Sequence, residues 1–318
     1  MSRIHEALKK AEQERTGAWT EAPGQGISDG VPASVTPIKP PMESSEMRTS
    51  PVLAAEDIPL AGGMPSFESP FSVDALLART TQQPWVPDEK TMLFFNGNDN
   101  QRGTEEFRTL RSRLYHAREK MPLKKLLVTS ALPKEGKSFM ASNLAQVLVR
   151  QHGRRVLLID ADLRSPRLHM MLGTTASPGL ADYLEGRGDE FSIMQRGPME
   201  NLFFIASGHE ISNPAELVSN GRLRLLLQRV ESLFDWIVVD SPPAVPVSDA
   251  SVLAKDCDGV LLVVRSDATP TDMARRARLE FPDEALVGVV LNATNAEAVP
   301  YPRYYYDQYQ KNGNKTKT

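Results

Sequence analysis

A single cysteine, Cys257, in 318 residues leaves no partner for an intramolecular disulfide and fits a reducing compartment. Its expected role is that of a small buried hydrophobe, not a reactive thiol. No apolar run approaches the ~18–20 residues of a membrane span, and the N-terminus lacks the apolar stretch of a signal peptide. Those two absences predict a cytoplasmic protein. Net charge is only −3, so nothing global points to nucleic acid. Aromatic residues make up 7% of the chain, and five of the seven tyrosines crowd into its last eighteen residues.

What is present divides the chain into four parts. Residues 1–15 place Ile4, Ala7, Leu8 and Ala11 on one stripe of a short amphipathic helix. Its charges are of both signs, unlike a membrane-surface helix, so it reads as solvated or partner-docking. Residues 16–98 scatter Pro, Gly, Ser, Glu and Thr among few apolar residues and predict a largely disordered linker, with a weak amphipathic turn at Phe71 to Leu77. Residues 99–298 carry the periodicities of one α/β domain, and 299–318 form a tyrosine-rich tail. The domain opens near Thr104, which can N-cap a helix with Glu105 and Glu106 in its first turn and Phe107, Leu110 and Leu114 on one face. Glu105, Arg108 and Arg111 share another stripe, either a solvated charged face or a surface that pairs with a second subunit.

Three apolar runs carry the chemistry. The first, Leu126 to Val128, leads through Thr129 and Ser130 into a short loop, then Gly136-Lys137-Ser138 and a helical pattern. Strand, tight loop and helix start are the setting of a phosphate-binding loop, in which backbone N–H groups at the helix start face an anion. Pro133, Lys134, Glu135, Gly136, Lys137, Ser138 and Phe139 are the residues placed to bind the nucleotide. Lys137 would neutralise β- and γ-phosphates, and the Ser138 hydroxyl would ligate Mg²⁺. The second run, Val156 to Ile159, ends in Asp160 and Asp162; the third, Trp236 to Val239, ends in Asp240 and a Ser-Pro-Pro loop. Carboxylates at strand ends sit where open α/β sheets bind ligands. Asp162 and Asp240 are assigned to Mg²⁺ and Asp160 to the incoming hydroxyl, with the roles of Asp160 and Asp162 exchangeable. Residues 255–295 lack the Asn-Lys-x-Asp pattern that reads guanine, which favours ATP; Asn292, ending the strand expected over 285–291, either meets the base or merely terminates a strand.

In this combination the region from about residue 100 to 310 resembles the cytoplasmic kinase domain of bacterial tyrosine kinases (BY-kinases) from capsule and exopolysaccharide loci. The resemblance rests on Glu105-x-x-Arg108-x-x-Arg111 as an oligomerisation motif, Pro133 to Ser138 as a Walker A loop, LLIDADLR at 157–164 as a second Asp-x-Asp motif, and VVDSPP at 238–243 as a Walker B. Gly179 to Asp182, Asn213 to Leu217 and Gly288 to Asn292 are further family-like stretches, the second also legible as an N-cap, a first-turn Pro and a Glu at the third helical position. The resemblance implies a doubly wound, mostly parallel sheet of the MinD/ParA-like P-loop type. It also implies autophosphorylation, in trans, of Tyr301, Tyr304, Tyr305, Tyr306 and Tyr309, with catalysis by Lys137, Asp160, Asp162 and Asp240. Partners so implied are further copies of the chain, a separate membrane-anchored polysaccharide co-polymerase that activates it at the inner membrane face, and a tyrosine phosphatase.

Two positions depart from the family pattern, and a third bears on the alternative reading. Lys134 stands where many members have Gly, which predicts no positive φ there. Phe139 follows Ser138 where a Thr often contacts the α-phosphate. Leu132 occupies the place of the signature Lys of MinD/ParA-like ATPases, the alternative reading being a positioning or scaffold ATPase of that kind.

Overall fold

The computed structural model describes residues 72–95 and 103–294. The expected helix over 1–15 and the tail tyrosines lie outside the described residues. Among those described, no helix is long and apolar enough to cross a membrane.

The elements run α1 (Val73–Arg79), β1 (Thr81–Gln82), α2 (Thr104–Arg118), β2 (Lys125–Ser130), α3 (Lys137–Val149), β3 (Val156–Asp160), α4 (Leu168–Leu172) and α5 (Leu180–Leu184). There follow β4 (Met194–Arg196), β5 (Leu202–Ile205), α6 (Pro214–Ser219), α7 (Arg222–Val230), β6 (Trp236–Asp240), α8 (Asp249–Ala254), β7 (Gly259–Arg265), α9 (Thr271–Leu279) and β8 (Leu286–Asn292). The sheet order is β1-β4-β5-β3-β6-β2-β7-β8, parallel throughout except for the β4–β5 pair.

Alternation along the central strands explains why both faces are covered. Leu127, Leu157, Ile159, Ile237 and Val239 point into one core with residues of α5, α6, α7 and α8. Leu126, Val128, Val156, Leu158, Trp236 and Val238 point into the other, with α2, α3 and α4. A strand apolar on both faces must be sandwiched, and right-handed crossovers carrying helices supply the two outer layers. The expected doubly wound, mostly parallel sheet is the observed one.

Four expectations change. The linker predicted over 16–98 does not extend through residues 72–95. Its amphipathic turn is α1, capped where the Ser72 hydroxyl accepts from the Ala75 N–H at 3.1 Å. From there β1 joins the sheet, Trp85 packs edge-on to Phe204 with centroids 6.1 Å apart, and Met92, Leu93 and Phe94 are buried against α3. This arm is fixed by backbone bonds: Val86 N–H donates to Gly173 O at 3.1 Å, and a β-carbon on Gly173 would stand 1.9 Å from Val86 O. Two polar side chains of α3 hold its far end. Asn143 Oδ1 accepts from Leu93 N–H at 2.8 Å while its amide donates to Thr91 O, and Gln146 Oε1 accepts from Phe94 N–H at 3.3 Å.

Thr104 is not the N-cap of α2. Gly103 is, at φ 101°, and Thr104 is buried in the first turn. Asn213 stands at the N-cap of α6 with Pro214 behind it, but its side chain makes no cap; its amide instead faces Glu216 at 3.4 Å. Finally, β8 begins one residue later than expected and includes Asn292.

Candidate active site

The three carboxyl ends β3, β6 and β2 are neighbours in the sheet, which brings together groups separated by about a hundred residues of chain. Register makes the proximity close: Asp160 pairs with Asp240 across β3–β6, and Asp240 with Val128 across β6–β2. Loop hydrogen bonds lock the ends together. Thr129 Oγ1 donates to Pro242 O at 2.9 Å, Ser241 N–H to Val128 O at 3.1 Å, and Ala161 N–H to Asp240 O at 2.9 Å.

Between β2 and α3 the chain turns through residues 131–136. Gly136, the residue before the helix, has φ 96°, and a β-carbon there would lie 2.1 Å from the Asn292 amide nitrogen. Lys134 has φ 67°, contrary to the expectation that its side chain marks a relaxed backbone. Left-handed residues alternating with right-handed ones turn successive N–H groups to one side, and a β-branched or bulky residue tolerates that poorly, whereas unbranched Lys can adopt it when held. Positive φ at Lys134 and at Gly136, on either side of Glu135, is a backbone pattern that an anion-cradling loop can use.

Lys137 is the first residue of α3 and is buried with its ammonium among carboxylates. Its Nζ is 2.7 Å from Asp162 Oδ2, 4.0 Å from Asp240 Oδ2 and 3.3 Å from Ser138 Oγ. Burial acts to lower its pKa, but the charges of Asp240, Asp162 and Asp160 outweigh that and hold it above the ordinary lysine value. Asp160 is wholly buried. Its two oxygens accept from Asp162 N–H at 3.3 Å and Leu168 N–H at 3.1 Å, so it also shapes the β3–α4 turn. Burial first, then the Asp240 charge beside it, push its carboxyl up to about 8. Asp240 is pushed up to about 6 by burial, with Lys137 opposing.

Both Asp240 oxygens are buried and neither takes a hydrogen bond. A buried carboxylate without a partner is costly, and such groups in native proteins face something that completes them. With Ser138, Asp162 and Lys137 around it, an oxygen-ligated divalent cation and an oligophosphate fit this donor set. The structure thus brings Lys137, Ser138, Asp160, Asp162 and Asp240 into one cluster. Phe139, expected only to lack a phosphate contact, packs its ring against Phe107 of α2 at 5.9 Å. Asn292 is adjacent to the loop, where its amide donates to Glu135 O at 2.8 Å.

Of the Glu105, Arg108 and Arg111 stripe, Arg108 pairs with Glu105 within α2, and Arg111 donates to Val147 O at the end of α3 at 3.0 Å. Two contacts had no sequence signal. Arg164, four residues after Asp160, forms a two-pronged ion pair with buried Asp249 at 2.7 and 3.0 Å, tying the β3 loop to α8. Glu135 turns its carboxylate inward, where it accepts from Leu132 N–H at 2.9 Å and is bonded by the Thr269 hydroxyl.

A family model described as an AAA domain matches residues 134–271. Tyrosine-protein kinase YwqD of Bacillus subtilis is 35% identical over 191 residues, covering 59% of this chain and 80% of that protein. Tyrosine-protein kinase Wzc of Salmonella typhimurium is 31% identical over 224 residues, which cover 70% of this chain but only 31% of Wzc. The chain therefore spans less than a third of that relative's length. Among solved structures, the kinase domain of Escherichia coli tyrosine kinase ETK superposes with a TM-score of 0.55 at 30% identity, covering 62% of this chain and 80% of that one.

Proposed function

We propose that this chain, which belongs to the bacterial tyrosine kinase family, transfers the γ-phosphoryl group of ATP to tyrosines of its own C-terminal cluster. The observation that carries the reading is the Asp240 carboxylate, buried and without a hydrogen bond, 4.0 Å from a lysine already held by Asp162. That is a site with one cation in place and room in its bonding for another.

Phosphoryl transfer asks a protein for positioning and charge stabilisation more than for covalent chemistry. Mg²⁺, when bound, would supply positive charge that offsets the negative charge developing on the phosphate. Ser138, Asp162 and Asp240 are the residues that would hold it. The loop N–H groups and Lys137 would hold the β- and γ-phosphates, Lys137 exchanging its ion pair with Asp162 for phosphate oxygens. In its ionised form, which the raised pKa of about 8 makes the minor one at neutral pH, Asp160 would accept the phenol proton as the new P–O bond forms and the bond to the bridging β-phosphate oxygen breaks. A phenol with a pKa near ~10 needs only such assistance. If Asp160 and Asp162 exchange these roles, Mg²⁺ dependence of nucleotide binding will be lost in Asp160→Asn instead of Asp162→Asn.

Acceptors on this reading are Tyr301, Tyr304, Tyr305, Tyr306 and Tyr309, presented by one copy to the site of another. Assembly uses the Glu105, Arg108 and Arg111 stripe of α2. Family resemblance supports a role in exopolysaccharide or capsule synthesis and export, activation by a membrane-anchored co-polymerase that recruits the chain to the inner membrane face, and reversal by a tyrosine phosphatase. Leu132, packed on the core where MinD/ParA-like ATPases carry their signature Lys, argues against a positioning ATPase.

The test is incubation of purified protein with ATP and Mg²⁺ followed by phosphotyrosine detection. Wild type gains label, while Lys137→Met loses it by at least ~100-fold, a deletion of a charge-stabilising donor being worth about that much. A variant with all five tail tyrosines changed to Phe that still takes up full label removes the acceptor assignment.

A further inference from the structure

The nucleotide-binding reading leaves unexplained why the loop needs a buried acid. Glu135 is 3% exposed, within an anion-binding loop where a negative charge works against the ligand. Its partners give the reason. One oxygen accepts from Leu132 N–H at 2.9 Å, closing the loop on itself. The other is bonded by the hydroxyl of Thr269, in the turn between β7 and α9. That hydroxyl already accepts from Arg265 N–H at 3.1 Å, so its proton is directed at the carboxylate. Two further bonds join the same turn and β8 to the loop: Arg265 donates to Lys134 O at 3.3 Å and the Asn292 amide to Glu135 O at 2.8 Å. The turn is itself anchored to β8, with Ser266 N–H donating to Asn292 O at 2.8 Å.

These bonds surround the residue that most needs holding. Lys134 lies at φ 67°, a conformation that residues with a β-carbon rarely adopt unaided, and it is flanked by the carbonyls that Arg265 and Asn292 grip. We propose that Glu135 and Thr269 are positioning residues that hold the phosphate loop in its anion-binding form before nucleotide arrives. Asn292 on this view serves the loop, not the base. The inference rests on the nucleotide-binding reading, and the binding experiment separates the two.

Affinity for Mg²⁺–ATP is measured by titration calorimetry on the full chain. Thr269→Val removes both hydrogen bonds of the hydroxyl at nearly constant volume and is expected to weaken binding by about 10-fold, the effect of a lost bond to a charged group. Thr269→Ser keeps the hydroxyl and stays within about 2-fold of wild type by the same bond accounting. Adding Lys134→Gly to Thr269→Val relaxes the left-handed residue and recovers at least a third of the lost affinity on a logarithmic scale. A purely structural threonine gives neither the Ser rescue nor the Gly rescue. Equal affinity in wild type and Thr269→Val overturns the proposal, as does parallel loss of affinity and thermal stability in both Val and Ser variants. Absence of binding by wild type itself would overturn the nucleotide reading instead.

Discussion

Asp160 and Asp240 are adjacent across two strands and both fully buried from water, and each prefers its proton more strongly than an exposed carboxyl does. A group whose folded pKa exceeds its unfolded value binds more protons folded than unfolded, so its ionisation opposes folding. From the unfolded value of 3.8 upward, stability is therefore lost as pH rises, through about 6 for Asp240 and about 8 for Asp160, and levels off above. Lys137, raised above 10.5, contributes stability throughout this window and loses it only in stronger base. Thermal melts of nucleotide-free protein from pH 5 to 8 should show a falling midpoint, and Asp160→Asn should flatten that fall. A midpoint that rises over the same range in wild type contradicts the assignment of buried, proton-holding carboxyls.

At the scale of elements, the arm of residues 72–95 and the nucleotide-facing helix α3 are one unit. Asn143 accepts from Leu93 N–H, donates to Thr91 O at 2.8 Å and also donates to Phe139 O at 2.9 Å within its own helix. Asn143→Leu keeps volume but strands a buried N–H and a carbonyl, a loss of about 2–4 kcal/mol for two unpaired groups. Limited proteolysis should then cut within 72–95 while 103–294 survives; an arm as resistant as in wild type would show that these bonds do not hold it. The helix α2 bears the proposed assembly surface. Arg111 is tied to Val147 O, so Glu105→Ala with Arg108→Ala is the cleaner perturbation, sparing that internal bond. Light scattering should report smaller assemblies for the double variant at unchanged melting temperature, and an unaltered mass would remove α2 from the interface.

For the molecule as a whole, what could be read from the chain was what local pattern encodes. Leu126 to Val128, Val156 to Ile159 and Trp236 to Val239 are apolar on both faces, and only a sheet covered on both sides satisfies them. Each ends in a polar group at the strand's carboxyl end, where the topology of such sheets opens a crevice, so Lys137, Asp160, Asp162 and Asp240 were legible before any coordinates. The arm was not. Trp85 is separated from the short run Met92, Leu93 and Phe94 by a stretch with Pro, Asp, Glu and Lys, with no helical or alternating period, and Asn143 and Gln146, which bond Leu93 and Phe94, lie some fifty positions away. The bond between Glu135 and Thr269 was equally silent, since a contact across 134 positions leaves no mark on either neighbourhood. Lys134 misled for a related reason: its left-handed backbone lies where Arg265 and Asn292, both over a hundred positions away, bond the carbonyls of Lys134 and Glu135.

The central claim is that these three strand ends close around one magnesium–triphosphate, and calorimetric titration of the folded chain with ATP tests it most directly. Wild type should take up one ATP per chain with Mg²⁺ present and bind far more weakly in EDTA, while Asp240→Asn should lose most of the difference between the two conditions. No uptake of ATP by well-folded wild type in Mg²⁺, or uptake indifferent to both the metal and Asp240, would contradict it.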